Sequence, residues 1–414
     1  MACIAVLVSN PCTGDARVIK MARAAAAAGH EVHVFATTGP HARPFEQKDG
    51  VNYHRLEWRL ATHLMASGPL AWIRRISRGA SSWLVRRVSP YVKYRLYKDV
   101  FSDAVATIKP DIVHAHDLIC LPAGYAAARI AGARLVYDAH ELEVHRYPPL
   151  PWLQKRMVGH VEKKYARKAD AVITVGKLVA QELGRHIGRD DISVLYNSPV
   201  IAPCPNNIRK DLRIDDDTSL VLYVGKVTEG RGVRMMLDLL PQMPGVVLAA
   251  VGPSDARAKA ALEAHAIRKG LATRFHILPP VPPEQVVNYI GGADVGVISS
   301  EIVALSYRYA MPNKLFEMSF ADIAILSNTL DEIEMFLSEI GNGEIVDFDK
   351  KEQVPYVIYR MLNQRKRYRL TPLARKKLEE DYSWSAQVEK LLRIYDQILG
   401  KGGSELTAQI QIES

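Results

Sequence analysis

The sequence predicts an α/β protein of two Rossmann-like halves, and three observations carry that prediction. Short apolar runs alternate with helix-like stretches from the first residues onward, the alternation breaks off at a proline-rich segment after residue 197, and it then starts again. A chain of 414 residues with 48% hydrophobic content is long enough for each half to bury its own core.

The first half opens with "CIAVLV", a helix from Asp15 to Ala28, and "EVHVFA" after the Gly29 stop, which is β-α-β writing. It continues with "DIVHAH" (111–116), the alanine-rich stretch 122–132, "ARLVYDAH" (133–140), a charged helix near 152–168, "DAVITV" (170–175) and "ISVLYN" (192–197). Strands so spaced by covering helices pair in parallel. Residues 199–217, with three prolines, two adjacent asparagines and no sustained periodicity, read as a linker between a domain at 1–198 and another at 218–382. The second domain repeats the rhythm with "SLVLYVG" (219–225), "GVVLAAVG" (245–252), "RFHIL" (274–278), "DVGVISS" (294–300), "IAILSN" (323–328) and "GEIVDF" (343–348). "SWSAQVEKLLRIYDQIL" gives an amphipathic helix over 383–400, and the polar, glycine-led residues 401–414 read as a frayed tail.

A net charge of +9 favours an anionic partner, which nucleic acid, a membrane surface and a phosphorylated substrate all satisfy. The four cysteines, Cys3, Cys12, Cys120 and Cys204, show no paired spacing, so a reducing, cytosolic setting is expected. The N-terminus lacks a basic lead-in and reads as a first strand, not a signal peptide, and no segment has the length of a membrane span.

Ligands of open parallel sheets sit beyond the carboxyl ends of the strands, which directs attention to Ser9–Gly14, His114–Asp117, His140 with Glu141, Gly225–Gly232 and Ser299–Glu317. Neither G-x-G-x-x-G nor a Walker loop follows a strand, which argues against a dehydrogenase or a nucleoside triphosphatase. The "DDD" at 215–217 lies in the linker and reads as a solvated turn, not a metal site. In "MPNKLFEMSF" (311–320) Pro312 suits a helix start whose free amides would receive a phosphate, although a buried helix with a surface Lys314–Glu317 ion pair fits as well. In "YVGKVTEGRGV" (223–233) Lys226 and Arg231 flank a loop that leads into a helix, an arrangement suited to a diphosphate.

These segments together resemble glycosyltransferase family 4, retaining enzymes of GT-B fold, over most of residues 1–400. Residues 225–232 are similar to that family's G-R-x(4)-K-G segment and "PNKLFE" to its sugar-donor helix start, while "RKADAVITVGKLVAQEL" with "ISVLYNSP" is similar to the end of its N-terminal domain. "DARV", "VYDAHELE" and "YSWSAQVEKLLRIYDQIL" match a bacterial polysaccharide-biosynthesis subset. The resemblance implies two Rossmann-like domains facing each other across a cleft, with the C-terminal helix crossing back to the N-terminal domain. It implies that Lys226 and Arg231 hold the diphosphate, that Gly225, Tyr309 and the amides of Asn313, Lys314 and Leu315 line the same site, and that Glu317 binds the ribose. His116 would face the sugar, Gly14 would permit close approach of phosphate or acceptor, and Arg17, His140 and Glu141 would line the acceptor side. For His116 and His140 a core imidazole bonded to a backbone carbonyl is the alternative. Fixed cations and helix-start amides stabilise a departing diphosphate without metal or cofactor, and retention by same-face attack or through a covalent intermediate both remain open.

The chain departs from the pattern at Tyr309, where the family places the first acid of its pair; altered sugar preference, a shifted role for Glu301 and lost catalysis are the possible consequences. Lysine and arginine are also exchanged at 226 and 231, and Asp322 replaces a helix-ending glycine. Residues 59–98 carry nine cations before the first acid, Asp99, with aromatics interleaved, which suits a peripheral helix on an anionic membrane; a solvated face is the alternative, and no RNA-binding module accompanies it. The expectation is a cytoplasmic enzyme, peripheral on the inner membrane face, that moves a sugar from a nucleotide-diphosphate sugar to a glycan or lipid-linked acceptor in envelope polysaccharide synthesis. A nucleotide-sugar epimerase or hydrolase and a non-catalytic nucleotide-sugar binder are the alternatives.

Overall fold

The computed structural model describes residues 1–40, 42–57, 90–228 and 231–400, which form two compact units. The first comprises residues 1–195 with those from 388 onward, and the second residues 196–387. Most of the basic stretch, residues 59–89, and the tail 401–414 lie outside the described residues.

The first unit holds β1 (Cys3–Leu7), β2 (Glu31–Thr37), β3 (Phe45–Lys48), β4 (Val51–Leu56), β5 (Ile112–His116), β6 (Arg134–Ala139), β7 (Ala171–Thr174) and β8 (Ile192–Val194) in the order β3-β4-β2-β1-β5-β6-β7-β8. Every neighbouring pair is parallel except β3 with β4. That hairpin was not expected; its signal is Asp49-Gly50, whose φ values of 53° and 74° are those of a type I′ turn. Helix Ala16–Ala27 starts where the Asp15 carboxylate accepts the Val18 amide, 3.2 Å away. From the basic stretch, helix Pro90–Ala106 turns Tyr94 and Tyr97 inward, and Tyr97 donates to the Val8 carbonyl at 3.0 Å. These two aromatics belong to the core, not to a membrane-facing surface.

The second unit holds β9 (Ser219–Val224), β10 (Val246–Val251), β11 (Phe275–Leu278), β12 (Val295–Ile298), β13 (Ala324–Ser327) and β14 (Gly343–Ile345), all parallel, in the order β11-β10-β9-β12-β13-β14. Strand order reverses beside β9, so the ends of β9 and β12 diverge and leave a crevice. Residues 199–217, read as a linker, lie in this unit and are not loose: Asn207 caps helix Ile208–Leu212, and Tyr289 donates to Asp211 at 2.7 Å. Asp215 accepts from Thr218 as a turn residue does. The last described helix, Trp384–Ile398, is divided between the units at residue 388.

Helix Asn313–Phe320 is held by Phe316, which packs among Tyr196, Phe336 and Tyr382. It ends at Asp322 with φ 55°, the Ile323 amide returning to Met318 and the Asp322 amide to Ser319. The cost of a left-handed aspartate is offset because its carboxylate accepts the Leu370 amide at 2.8 Å and pairs with Arg369 at 3.2 Å. Asp322→Ala keeps the strained backbone and loses these bonds, so it should destabilise the chain by about 2 kcal/mol, with Asp322→Gly costing less. Urea unfolding of the two variants checks this order.

Candidate active site

In the second unit the sequence brings four strand and helix ends together. β9 runs into Gly225, whose φ of 122° excludes side chains and whose missing Cβ would lie 3.4 Å from Lys314 Nζ. Gly252, after β10 with φ 144°, backs onto the Gly225 carbonyl. Ser299, after β12, donates to the Arg231 carbonyl at 3.1 Å. The Lys314 ammonium lies 4.1 Å above the Tyr223 ring, and the Tyr223 hydroxyl donates to the Lys226 carbonyl at 3.0 Å.

Burial, then the Arg231 charge, pull Lys314 down to about 8, against the opposing pull of Glu317. Two cations and a carboxylate therefore share one strand end. An anion placed there would relieve the mutual repulsion of Lys314 and Arg231 and keep the lysine charged to higher pH. Lys226 and Arg231 both have exposed side chains. Of that expected pair it is Arg231 whose charge is felt at Lys314; Lys226 contributes its backbone to the Tyr223 anchor.

The helix start is partly as expected. Pro312 precedes it with no side-chain cap, and among the described residues the Asn313 and Lys314 amides meet no acceptor. The Leu315 amide is already given to the Pro312 carbonyl at 2.9 Å and its side chain is fully buried, so Leu315 drops out of the proposed phosphate set. Tyr309 closes the short helix Leu305–Arg308, its amide donating to Leu305, and Glu301 is exposed beyond β12. Ser299 opens the expected Ser299–Glu317 segment, whereas Tyr223 and Gly252 were missed by the sequence reading. Their signal was their place at strand ends next to the reversal in order.

In the first unit the organising group is Asp138, fully buried on β6 directly across from His116 of β5. Arg17 grips it with two bonds of 2.9 Å and spends its third nitrogen on the Leu195 carbonyl at 2.8 Å. The expected acceptor-side role of Arg17 is therefore corrected: the guanidinium is 5% exposed and locks Asp138 in place. His114, His116 and His140 approach the same Asp138 oxygen at 3.8, 3.3 and 3.7 Å. Although burial works the other way, Arg17 and His140 hold the Asp138 carboxyl well below its usual range.

His116 is neutral, lowered to about 3 by burial and then by His114, whose ring stacks on it at 4.4 Å. His140 is raised because Asp117 and Asp138 outweigh its burial. Asp117 reaches His140 Nδ1 at 3.4 Å from a left-handed backbone with φ 62°, a strained position at the end of β5. His140 Nε2 lies 3.0 Å from His116 Nδ1, which also faces the Asp138 carboxylate at 3.3 Å. His116 Nε2, like His114 Nε2, is buried without a hydrogen-bond partner. The core-imidazole alternative is thus half right: neither histidine binds a backbone carbonyl, and His116 keeps one unspent polar atom.

His114, in the expected His114–Asp117 segment, hydrogen-bonds to the Tyr395 hydroxyl at 2.7 Å. Nothing comes within 4 Å of a Cβ built on the exposed Gly14, so the surrounding fold leaves that surface open. Glu141 is exposed. His114, His116 and Asp138 are close enough to hold a metal ion, but both Asp138 oxygens are already engaged by the Arg17 cation, which opposes one.

Comparison with known proteins bears on the fold and the family resemblance. Residues 16–198 match the family model Glycosyltransferase Family 4. The chain is 26% identical over 210 residues to a D-inositol 3-phosphate glycosyltransferase of Xylanimonas cellulosilytica, covering 46% of this chain and about half (50%) of that relative. It is 22% identical over 388 residues to an uncharacterized glycosyltransferase of Methanocaldococcus jannaschii, covering 89% and 90% of the two. Among solved structures, sucrose-phosphate synthase from Thermosynechococcus elongatus superposes with a TM-score of 0.72 at 18% identity over 97% of this chain and 100% of that one. Anabaena HepE in complex with UDP gives 0.70 at 13% identity, over 96% and 100%. The fold is GT-B, and the expected resemblance to glycosyltransferase family 4 is borne out.

Removing Arg17 leaves Asp138 buried with only the histidines to face its charge. Arg17→Ala should destabilise the first unit by about 3–5 kcal/mol. Thermal unfolding of the variant tests it, and a loss under about 1 kcal/mol contradicts the locking role.

Proposed function

For a chain that carries the Glycosyltransferase Family 4 model over its first unit and is built as GT-B, we propose transfer of a sugar, with retention, from a nucleotide-diphosphate sugar to a glycan or lipid-linked acceptor in envelope polysaccharide synthesis. The observation that carries this reading is the Lys314 ammonium, held on the Tyr223 ring beside Gly225 and near Arg231. UDP in the Anabaena relative supports a nucleoside diphosphate as the anion.

As the sugar leaves, the bond from its anomeric carbon to the β-phosphate oxygen breaks and the electron pair stays on phosphate. Arg231, Lys314 and the free amides of Asn313 and Lys314 face that growing charge, with Lys226 at the loop's edge; no divalent metal is required of this arrangement. The acceptor hydroxyl then attacks the same face, and its proton passes to the leaving phosphate. Glu317 accepts from the ribose hydroxyls, while the unspent His116 Nε2 meets a sugar hydroxyl. The enzyme works on the cytoplasmic side, where nucleotide sugars are supplied. Tyr309 favours a second reading, nucleotide-sugar binding without turnover.

Release of nucleoside diphosphate only when acceptor is added, unchanged by a chelator, supports transfer; binding without release across a panel of nucleotide sugars and acceptors supports the second reading. Arg231→Ala should cost ~1.5–3 kcal/mol, roughly tenfold to a hundredfold in kcat/KM. Because the lysine is charged below about 8 and neutral above it, nucleoside diphosphate affinity should fall as pH rises through that value. Lys314→Arg should remove the fall, as calorimetric titration at several pH values would report.

A further inference from the structure

The helix Trp152–Ala166 and the loop before it present a surface that the sugar chemistry does not use. Tyr147, Trp152 and Leu153 are 53%, 72% and 54% exposed, an unusual position for a tryptophan, and Pro148, Pro149 and Pro151 between them are exposed too. Within the helix, Trp152, Arg156, His160 and Lys163 follow spacings of four, four and three, so they form one solvent-facing stripe. Val158, Val161 and Ala166 occupy the opposite, buried face, against helices Pro90–Ala106 and Asp117–Ala131.

The seven cations from Arg146 to Lys168 are all exposed, while the single acid among them, Glu162, is buried and accepts from the Tyr137 hydroxyl at 2.8 Å. Burial lifts Glu162 to about 8, so it adds no negative charge to this face at neutral pH. A helix that is merely solvated has no use for an apolar tip fixed by three prolines. An anionic bilayer matches both features at once: the apolar tip enters the headgroup boundary and the cationic stripe lies along the phosphates.

We propose that residues 146–168 dock this chain on an anionic lipid surface through the Tyr147–Leu153 tip and the cationic stripe behind it. The surface differs from residues 59–98 and lies within the described fold. The inference rests on the proposed function only in that a membrane-held acceptor explains its use.

Sedimentation of the full chain with phosphatidylcholine vesicles, with and without phosphatidylglycerol at low salt, tests it. Binding should require the anionic lipid and fall by about tenfold or more in Trp152→Ala/Leu153→Ala. Arg156→Ser/Lys163→Ser should lose most of the preference for anionic vesicles. Trp152→Phe should still bind but show less of the tryptophan quenching that brominated lipid causes in the unmodified protein, four other tryptophans remaining. Unchanged binding by Trp152→Ala/Leu153→Ala, equal binding to neutral vesicles, or retention of single-stranded RNA in place of vesicles would each overturn the assignment. UDP added to each variant separates the two readings: an unaltered thermal shift shows an intact fold and nucleotide site, and absence of any shift in the unmodified protein counts against the transfer reading while the vesicle result stands.

Discussion

Both units depend on one constraint, the reversal of strand order beside their first strand. In a parallel sheet all carboxyl ends point one way, and the connections from two neighbouring strands turn apart only where the order reverses. In the second unit that place is between β9 and β12, and Gly225, Arg231 and Ser299 emerge there. In the first it is between β1 and β5, and the loop carrying Gly14 faces the end of β5, where His116 and Asp117 stand. Other polar groups are arranged around these two openings.

The openings differ in electrostatic character. Around Asp138 one carboxylate is matched by Arg17, His140 and two neutral imidazoles, so charge is satisfied internally and the remaining demand is geometric. Around Lys314 the cations outnumber their partners, and the lysine's depressed pKa records that excess. The first leaves one imidazole nitrogen of His116 unspent, and the second gathers an excess of positive charge.

Much of this was legible in the sequence because strand alternation is rigid. Once "DIVHAH" and "VYDAH" are strands, His114 with His116 and Asp138 with His140 must share faces, and parallel pairing brings them together. The helix start at Pro312 and the glycine at 225 were equally readable, since each has a local backbone cause. What could not be read was long-range expenditure. Arg17 looked available until its partners 121 and 178 positions away were known, and the Leu315 amide looked free until the turn at Pro312 closed on it. Tyr223 was hidden as a strand residue, its role being fixed by Lys314, far along the chain. The hairpin at Asp49-Gly50 was a local signal that went unread.

Whether Lys314 and Arg231 receive a diphosphate is tested most directly by a crystal structure of this protein grown with UDP or GDP. The β-phosphate should lie within hydrogen-bond reach of Lys314 Nζ and the Asn313–Lys314 amides, beside Gly225. A diphosphate bound elsewhere, with Lys314 still seated on Tyr223 and touching nothing, would contradict this placement.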